Sequence, residues 1–307
     1  YPIRLFYDPD AINQANREGR YYSIVARTPE DRIVGASHLY RSSPFEGLYE
    51  VGVGLVSKDY RNTGINKQLL AFLYDSFVGT MPHIEEVYGE AVCNHTITQK
   101  LTQHAKGKET AVEPALMPAE AYTHEWQDIG RVGCLVYFRV DVDQRKTLFL
   151  PTPYHNQLHY IMDGLDLDRE IVAADVTIPS GEAAIEVQRF DFAGVARTTV
   201  TRPGADLSGR LHALECQART DNYALLQCFV DLGQPWAGGV VAQLRGQGYA
   251  LGGLLPIWFG TDGLLLQKHL VDPNFEGMKI HSDRGRALVE LIKGEWQQSQ
   301  MQQATTR

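Results

Sequence analysis

The stretch from Leu48 to Phe77 constrains the fold more than any other part of the chain. Leu48-Tyr-Glu-Val-Gly-Val-Gly-Leu-Val56 is apolar apart from Glu50 and two glycines, and it predicts a strand. A polar run from Ser57 to Gly64 follows. Ile65, Leu69, Leu70, Leu73 and Phe77 then fall on one stripe of a 3.6-residue period, which predicts an amphipathic helix. Strand and helix must share one core, so the loop between them is held at a fixed place. Such a loop presents successive backbone N–H groups beside the positive end of a helix dipole, a combination suited to a pyrophosphate. At Gly64 the backbone could approach an anion where a Cβ would obstruct it. An ordinary strand–loop–helix with a turn glycine has the same pattern, and the residues alone leave both readings open.

The rest of the chain alternates in a similar way. A helix is expected over 10–19, ending at Gly19, and a hairpin from Tyr22–Arg27 and Ile33–Tyr40 around Thr28-Pro-Glu-Asp-Arg32. Glu86–Val92 reads as a strand, a polar helix follows from about His95, residues 107–128 with Pro114 and Pro118 read as irregular, and Gly133–Val140 reads as a strand. The charged stretch Asp141–Lys146 and Pro151-Thr-Pro153 mark a boundary, followed by a helix over Tyr154–Leu165. Beyond it the expected elements are strands at Ala184–Phe192 and Gly194–Thr201, a helix over Leu207–Arg219 and a strand at Tyr223–Asp231. A helix over Trp236–Arg245, strands at Leu251–Trp258 and Gly263–Lys268, and a helix over Ser282–Gln297 complete the list. The fold class is α+β, or mixed α/β, in two halves of similar size and element order, without identity at a fixed period.

Composition narrows the function classes. At 307 residues, two domains are expected. Lys and Arg number 29 against 37 Asp and Glu, a formal charge of −8, which argues against broad nucleic-acid or anionic-membrane binding. Cys93, Cys134, Cys216 and Cys228 form no CxxC pair and fit no zinc spacing, as expected of reduced thiols in a cytoplasmic protein. The longest uncharged run, Gly246–Thr261, is too short and too rich in Gly and Pro to span a bilayer, and no signal peptide opens the chain. Tyr1 stands where a Met would start a natural chain, so a segment upstream is expected.

Val56-Ser-Lys-Asp-Tyr-Arg61-Asn-Thr-Gly64-Ile-Asn66-Lys-Gln-Leu-Leu70 resembles the acetyl-CoA signature of GNAT-family N-acetyltransferases. In that family a strand ending in Val leads through Tyr-Arg to Arg/Gln-x-x-Gly-x-Gly/Ala and a helix. Arg61 and Gly64 match; Asn66 stands where Gly or Ala is usual. Glu90-Ala-Val-Cys-Asn-His95-Thr-Ile-Thr-Gln99-Lys is similar to a stretch of a bacterial subgroup, with Thr98 in place of Ser, and Tyr1–Pro9 resembles that subgroup's segment after its first strand and helix. The resemblance covers about 1–147. It implies acetyl-CoA as co-substrate, held by Leu55, Val56, Arg61, Asn62, Thr63, Gly64, Ile65 and Asn66, without a metal. Leu244–Pro256 is similar to the close of a GNAT domain, so the expected architecture is a tandem: a GNAT-like domain over 1–147 and a degenerate one over 151–307. Each would carry a mostly antiparallel sheet, and the second has no pyrophosphate loop.

Acetyl transfer to an amine needs a proton acceptor. Glu50 lies in the strand feeding the loop, where many GNAT enzymes place a carboxylate base, and Glu90 and His95 border the implied cleft; the plainer readings put Glu50 on the solvent face and His95 at a helix cap. The Tyr that the family often uses as acid would fall at Thr102. His155-x-x-x-His159 lacks the Glu and third ligand of a zinc hydrolase and reads as surface histidines. Asp163–Asp168 lacks the order of a calcium loop, and Phe190, Phe192, Trp236, Trp258 and Phe259 read as core. The expected activity is acetyl transfer to a small amine acceptor by a protein that could form a homodimer. A non-catalytic acyl-CoA-binding or regulatory module is the alternative, and an unrelated interaction protein a third reading.

Overall fold

The computed structural model describes residues 4–122 and 130–306. Residues 1–3 of the opening segment and 123–128 of the stretch expected to be irregular lie outside the described residues. In the first half, α1 (Pro9–Arg17) leads to β1 (Tyr21–Arg27), β2 (Ile33–Tyr40), β3 (Leu48–Val56), α2 (Ile65–Ala71), β4 (Glu86–Val92), α3 (Ile97–His104), β5 (Lys108–Met117) and β6 (Val132–Val140). The Asp8 carboxylate caps α1 by accepting the Asp10 and Ala11 amides, and Gly19 turns the chain with φ +66°. The stripe on α2 seats tightly on the sheet. A Cβ at Gly35 of β2 would stand 2.8 Å from Ile65 Cγ2, so this glycine sets the helix–sheet approach.

After β7 (Lys146–Leu150), α4 (His155–Met162) and β8 (Arg169–Ala173), the second half contains β9 (Ala184–Phe190), β10 (Val195–Arg202), α5 (Leu207–Thr220) and β11 (Leu225–Asp231). Then follow α6 (Ala237–Gly246), β12 (Ala250–Leu255), β13 (Gly263–His269) and α7 (Asp283–Thr306). Eleven strands form one sheet in the order β1-β2-β3-β4-β6-β5-β12-β13-β11-β10-β9, while β7 and β8 pair separately. Two neighbouring pairs of the large sheet, β3/β4 and β10/β11, are parallel, and the others are antiparallel. The order β2-β3-β4-β6-β5 recurs as β9-β10-β11-β13-β12, with helices after the second and third strand each time. Two like units thus meet edge to edge through β5 and β12.

The seam rests on one registered pair, Gly253 opposite Ala111. A Cβ on Gly253 would lie 2.4 Å from Ala111 Cα, and φ is +144°, so only glycine fits. Each half also sends an arm to the other. Phe149 N–H donates to Leu232 C=O just past β11, and Lys279 N–H donates to Cys93 C=O just past β4, both at 2.7 Å. The helices that follow these arms, α4 and α7, both pack on β12 and β5. Arg284 fastens them to the sheet by donating to Ile161, Asp163 and Glu109 carbonyls at 2.6, 2.9 and 3.2 Å.

The sheet is strongly curled. β4 and β10 are six strand steps apart, roughly 29 Å in a flat sheet, yet Arg197 on β10 reaches Glu90 on β4 at 3.0 Å. Side chains of distant strands therefore meet across a concave face.

Several expectations are corrected. Residues 108–117, read as irregular, form a strand because Pro114 falls in a bulge between the pairs Glu113–Cys134 and Met117–Val132, where no ladder N–H is required. The charged stretch ends in β7 rather than in a plain boundary loop, β8 was not anticipated, and α7 is longer than 282–297. Phe192 is exposed instead of core, at a hairpin end, whereas Trp258 is buried. His155 and His159 are exposed with their Nε2 atoms 3.3 Å apart.

Candidate active site

β3 and β4 pair at three positions, Leu48–Glu86, Tyr49–Val87 and Glu50–Tyr88, and no registered pair follows. One cause lies on the other side of β3. Ser37 of β2 faces both Val53 and Gly54 in a bulge, and Val53 takes φ 51°, a strained value for a β-branched residue. The bulge bends β3 away from β4, leaving Gly54 and Leu55 exposed beside the opening.

The loop beyond Val56 is open in the manner an anion cradle requires. Residues 61–64 are all exposed, Asn62 has φ 63° and Gly64 has φ +87°. The backbone amides of Asn62, Thr63 and Gly64 meet no hydrogen-bond acceptor among the described residues. A Cβ on Gly64 would have nothing nearer than Gln68 Nε2 at 4.0 Å, so it would project into the open cradle. Asn66 Oδ1 sits 3.3 Å from where a Cβ of Gly54 would be. The bare strand at Gly54 therefore gives the Asn66 side chain its room. α2 begins at Ile65 and continues into a π-turn over Phe72–Phe77.

Glu50, at the opening's inner end, is directed onto the concave face and not into solvent. Tyr40 O–H donates to Glu50 Oε1 at 2.5 Å and Tyr88 O–H donates to Oε2 at 2.9 Å; Ser42 Oγ lies 2.5 Å from the Tyr88 hydroxyl. Burial and then the charge of Glu90 push the Glu50 carboxyl up to about 7, against the lowering effect of hydrogen bonds with Tyr40, Ser42 and Tyr88. Among the described residues it has no cationic partner.

Glu90 lies two residues beyond Tyr88 on the same face of β4. Arg197 of the second half donates to Glu90 Oε1 at 3.0 Å and to Glu113 Oε1 at 3.1 Å. Gln227 Nε2 donates to Glu113 Oε1 at 2.6 Å, and Arg197 Nε donates to Gln227 Oε1 at 2.8 Å. Burial, with Glu90 nearby, raises the Glu113 carboxyl far above the ordinary carboxylate range. Tyr88, Phe138, Phe229 and Trp258 wall this region in a chain of ring contacts.

The structure brings Glu50 and Glu90 together but places His95 elsewhere. His95 Nδ1 accepts the Ile97 amide at 3.3 Å, the cap role, and burial lowers its proton affinity. Thr102 is buried and donates to Thr98 C=O at 3.0 Å. Tyr40, Ser42, Tyr88, Glu113, Arg197 and Gln227 were missed. Tyr88 could have been found from its spacing to Glu90, whereas Arg197 carries no local signal.

The second half departs from this arrangement. After β10, Gly204 abuts residues 181–183, with Ala183 N only 2.3 Å from its would-be Cβ. The Asp206 carboxylate accepts the Ala183 amide at 2.6 Å at the start of α5. A carboxylate and the chain itself thus fill the place that is open at Gly64.

No family model matches the sequence, and no curated protein matches it. Among solved structures, it is similar to a ribosomal-protein-alanine N-acetyltransferase from Brucella melitensis, at 20% identity and TM-score 0.36, over 45% of this chain and 79% of that one. It is also similar to the spermidine/spermine N-acetyltransferase SpeG from Vibrio cholerae, at 9% identity and TM-score 0.35, over 43% and 71%. Both of these solved structures are N-acetyltransferases by name. Among the described residues there is no cluster of three or more His, Cys, Asp and Glu set to hold a metal, and no helix is long and apolar enough to cross a membrane.

Proposed function

We propose that the chain is an acetyl-CoA-dependent N-acetyltransferase acting on a small amine, with its site in residues 1–147 and residues 151–307 as a supporting second unit. One observation carries this reading: an open amide cradle and a carboxylate with proton affinity near neutrality stand at the two ends of one splayed strand, β3. Acetyl-CoA, when bound, supplies an acyl thioester. The loop from Arg61 to Asn66 would hold its pyrophosphate on the uncommitted amides of Asn62, Thr63 and Gly64, and the open strand edge at Leu55 and Val56 would align its pantetheine arm. Glu50 takes the proton of the acceptor ammonium, and a carboxyl poised near 7 is matched to that task at physiological pH. Tyr40 and Tyr88 fix its orientation, while the aromatic walls limit water. The net charge of −8 favours a cationic acceptor over an anionic one.

Thr102, at the place where the family often carries its acid, favours the alternative of a non-catalytic acyl-CoA-binding module. The two separate experimentally. Calorimetric titration should show CoA binding that Gly64→Asp abolishes, because both the carboxylate and its bulk would enter the cradle. Thiol release across a panel of primary amines should show turnover. No CoA binding by wild type overturns both readings; binding without turnover on any amine leaves the module.

A further inference from the structure

Arg197 has a revealing place in the repeated topology. The parallel ladder of the first half begins at Leu48–Glu86, and its third pair is Glu50–Tyr88. The ladder of the second half begins at Val195–Leu225, and its third pair is Arg197–Gln227. Arg197 is therefore the second unit's counterpart of Glu50. Curling of the sheet turns both inward, where the arginine meets the carboxylates of the first unit.

Its guanidinium is held from several sides. Glu90, Glu113 and Gln227 accept from it, and the Phe190 and Phe229 rings lie 5.4 and 6.0 Å from its centre. The side chain is 18% exposed and that of Glu113 3%, so their charges act through little solvent. We propose that Arg197, contributed by the second unit, is a positioning residue for the candidate base. It clamps Glu90 and Glu113 and leaves Glu50 as the carboxylate of the cluster held by neutral hydroxyls alone. The kinetic consequence rests on the acetyltransferase reading; the electrostatic one does not.

The groups facing Glu50 are Tyr21 of β1, Tyr40 of β2, Ser42 after it, and Tyr88 and Glu90 of β4, with Glu113 of β5 and Arg197 of β10 behind them. Removing the cation exposes Glu50 to uncompensated negative charge, which favours its protonated form. The Glu50 midpoint should then rise.

The test is ¹³C-carboxyl NMR titration of Glu50 in the full chain, assigned with Glu50→Gln. Arg197→Met should move the midpoint up by about one pH unit, a tenfold change in proton affinity. Arg197→Lys should keep it within about 0.3 units, since the charge stays while the fork is lost. Glu90→Gln should move it down, and this isosteric change decides the matter if Arg197→Met does not fold. A folded Arg197→Met or Glu90→Gln protein with an unmoved midpoint overturns the proposal and leaves Arg197 a structural clamp, seen only in melting temperature. Absence of wild-type turnover would refute the acetyltransferase reading, yet the same titration would still decide the role of Arg197. With turnover, the acid limb of kcat/KM should follow the NMR midpoint.

Discussion

Gly253→Ala tests the seam on which the site depends. The added methyl would stand 2.4 Å from Ala111 Cα and Thr110 O and 2.5 Å from Ala111 Cβ. Ordinary contact begins near 3.4 Å, so β5 and β12 must part by about 1 Å, and no rotamer change helps because most of the obstruction is backbone. An L-residue at φ +144° adds backbone strain of about 1–3 kcal/mol, and overpacking costs a comparable amount, placing the loss at roughly 2–6 kcal/mol. At about 2–4 °C per kcal/mol, the melting midpoint should fall by about 5 °C or more. Differential scanning calorimetry and urea unfolding measure it directly. Gly294→Ala in α7 is the control: nothing lies within 4 Å of its Cβ, and helix propensity predicts a gain of about 0.5–1 kcal/mol. A Gly253→Ala protein melting within about 1 °C of wild type would refute the argument that this contact closes the sheet.

Glu50→Gln should leave CoA affinity intact and lower kcat by ~10²–10⁴-fold. In wild type, activity should rise with pH through about 7 as Glu50 ionises, and that limb should vanish in the variant's residual rate. Titration should give one CoA equivalent per chain, because the second cradle is filled by residues 181–183 and Asp206; two equivalents would contradict it. Glu86 is fully buried, neither carboxylate oxygen has a hydrogen-bond partner among the described residues, and burial raises its proton affinity well above the ordinary range. The native state thus prefers it protonated, so its contribution to stability is present at acid pH and is lost as pH rises from the unfolded value upward. Glu86→Gln should flatten that decline in urea midpoints measured from pH 5 to 8, and an unchanged slope would exclude Glu86 as its source.

Local patterns carried much of this structure into view. β3 and β4 run over the residues their apolar runs mark, and Gly64 adopts the positive φ that a glycine at a helix start invites. What was not legible depends on contacts between distant strands. Pro114 reads as a strand breaker until the bulge that accommodates it is seen, and Lys146–Leu150 reads as the tail of a charged run because its strand partner, β8, lies beyond α4. The candidate base could be named from its strand, but its environment could not. Tyr40 comes from the preceding strand, and Arg197 lies 107 residues from Glu90 in sequence. β2–β3 pairing sets Tyr40 opposite Glu50, and only the curl of the eleven-stranded sheet brings Arg197 to Glu90.

That curl also gives a reason for the second unit's persistence without an open cradle. A first unit alone would expose the β5 edge and the carboxylates of Glu90 and Glu113 on one sheet face. Burying two such charges without a cation is costly, and leaving them in water would loosen the phenol-lined position of Glu50 beside them. The second unit covers the edge with β12 and the face with Phe229 and Trp258, and it brings the compensating charge on the strand position equivalent to the base. The second unit has a filled loop and an Asp at a helix start where the first unit is open. It cannot lose Arg197 without leaving its partner's acidic cluster unbalanced. On the acetyltransferase reading, β10 and β12 of the second unit therefore serve the first unit's site without contacting a substrate.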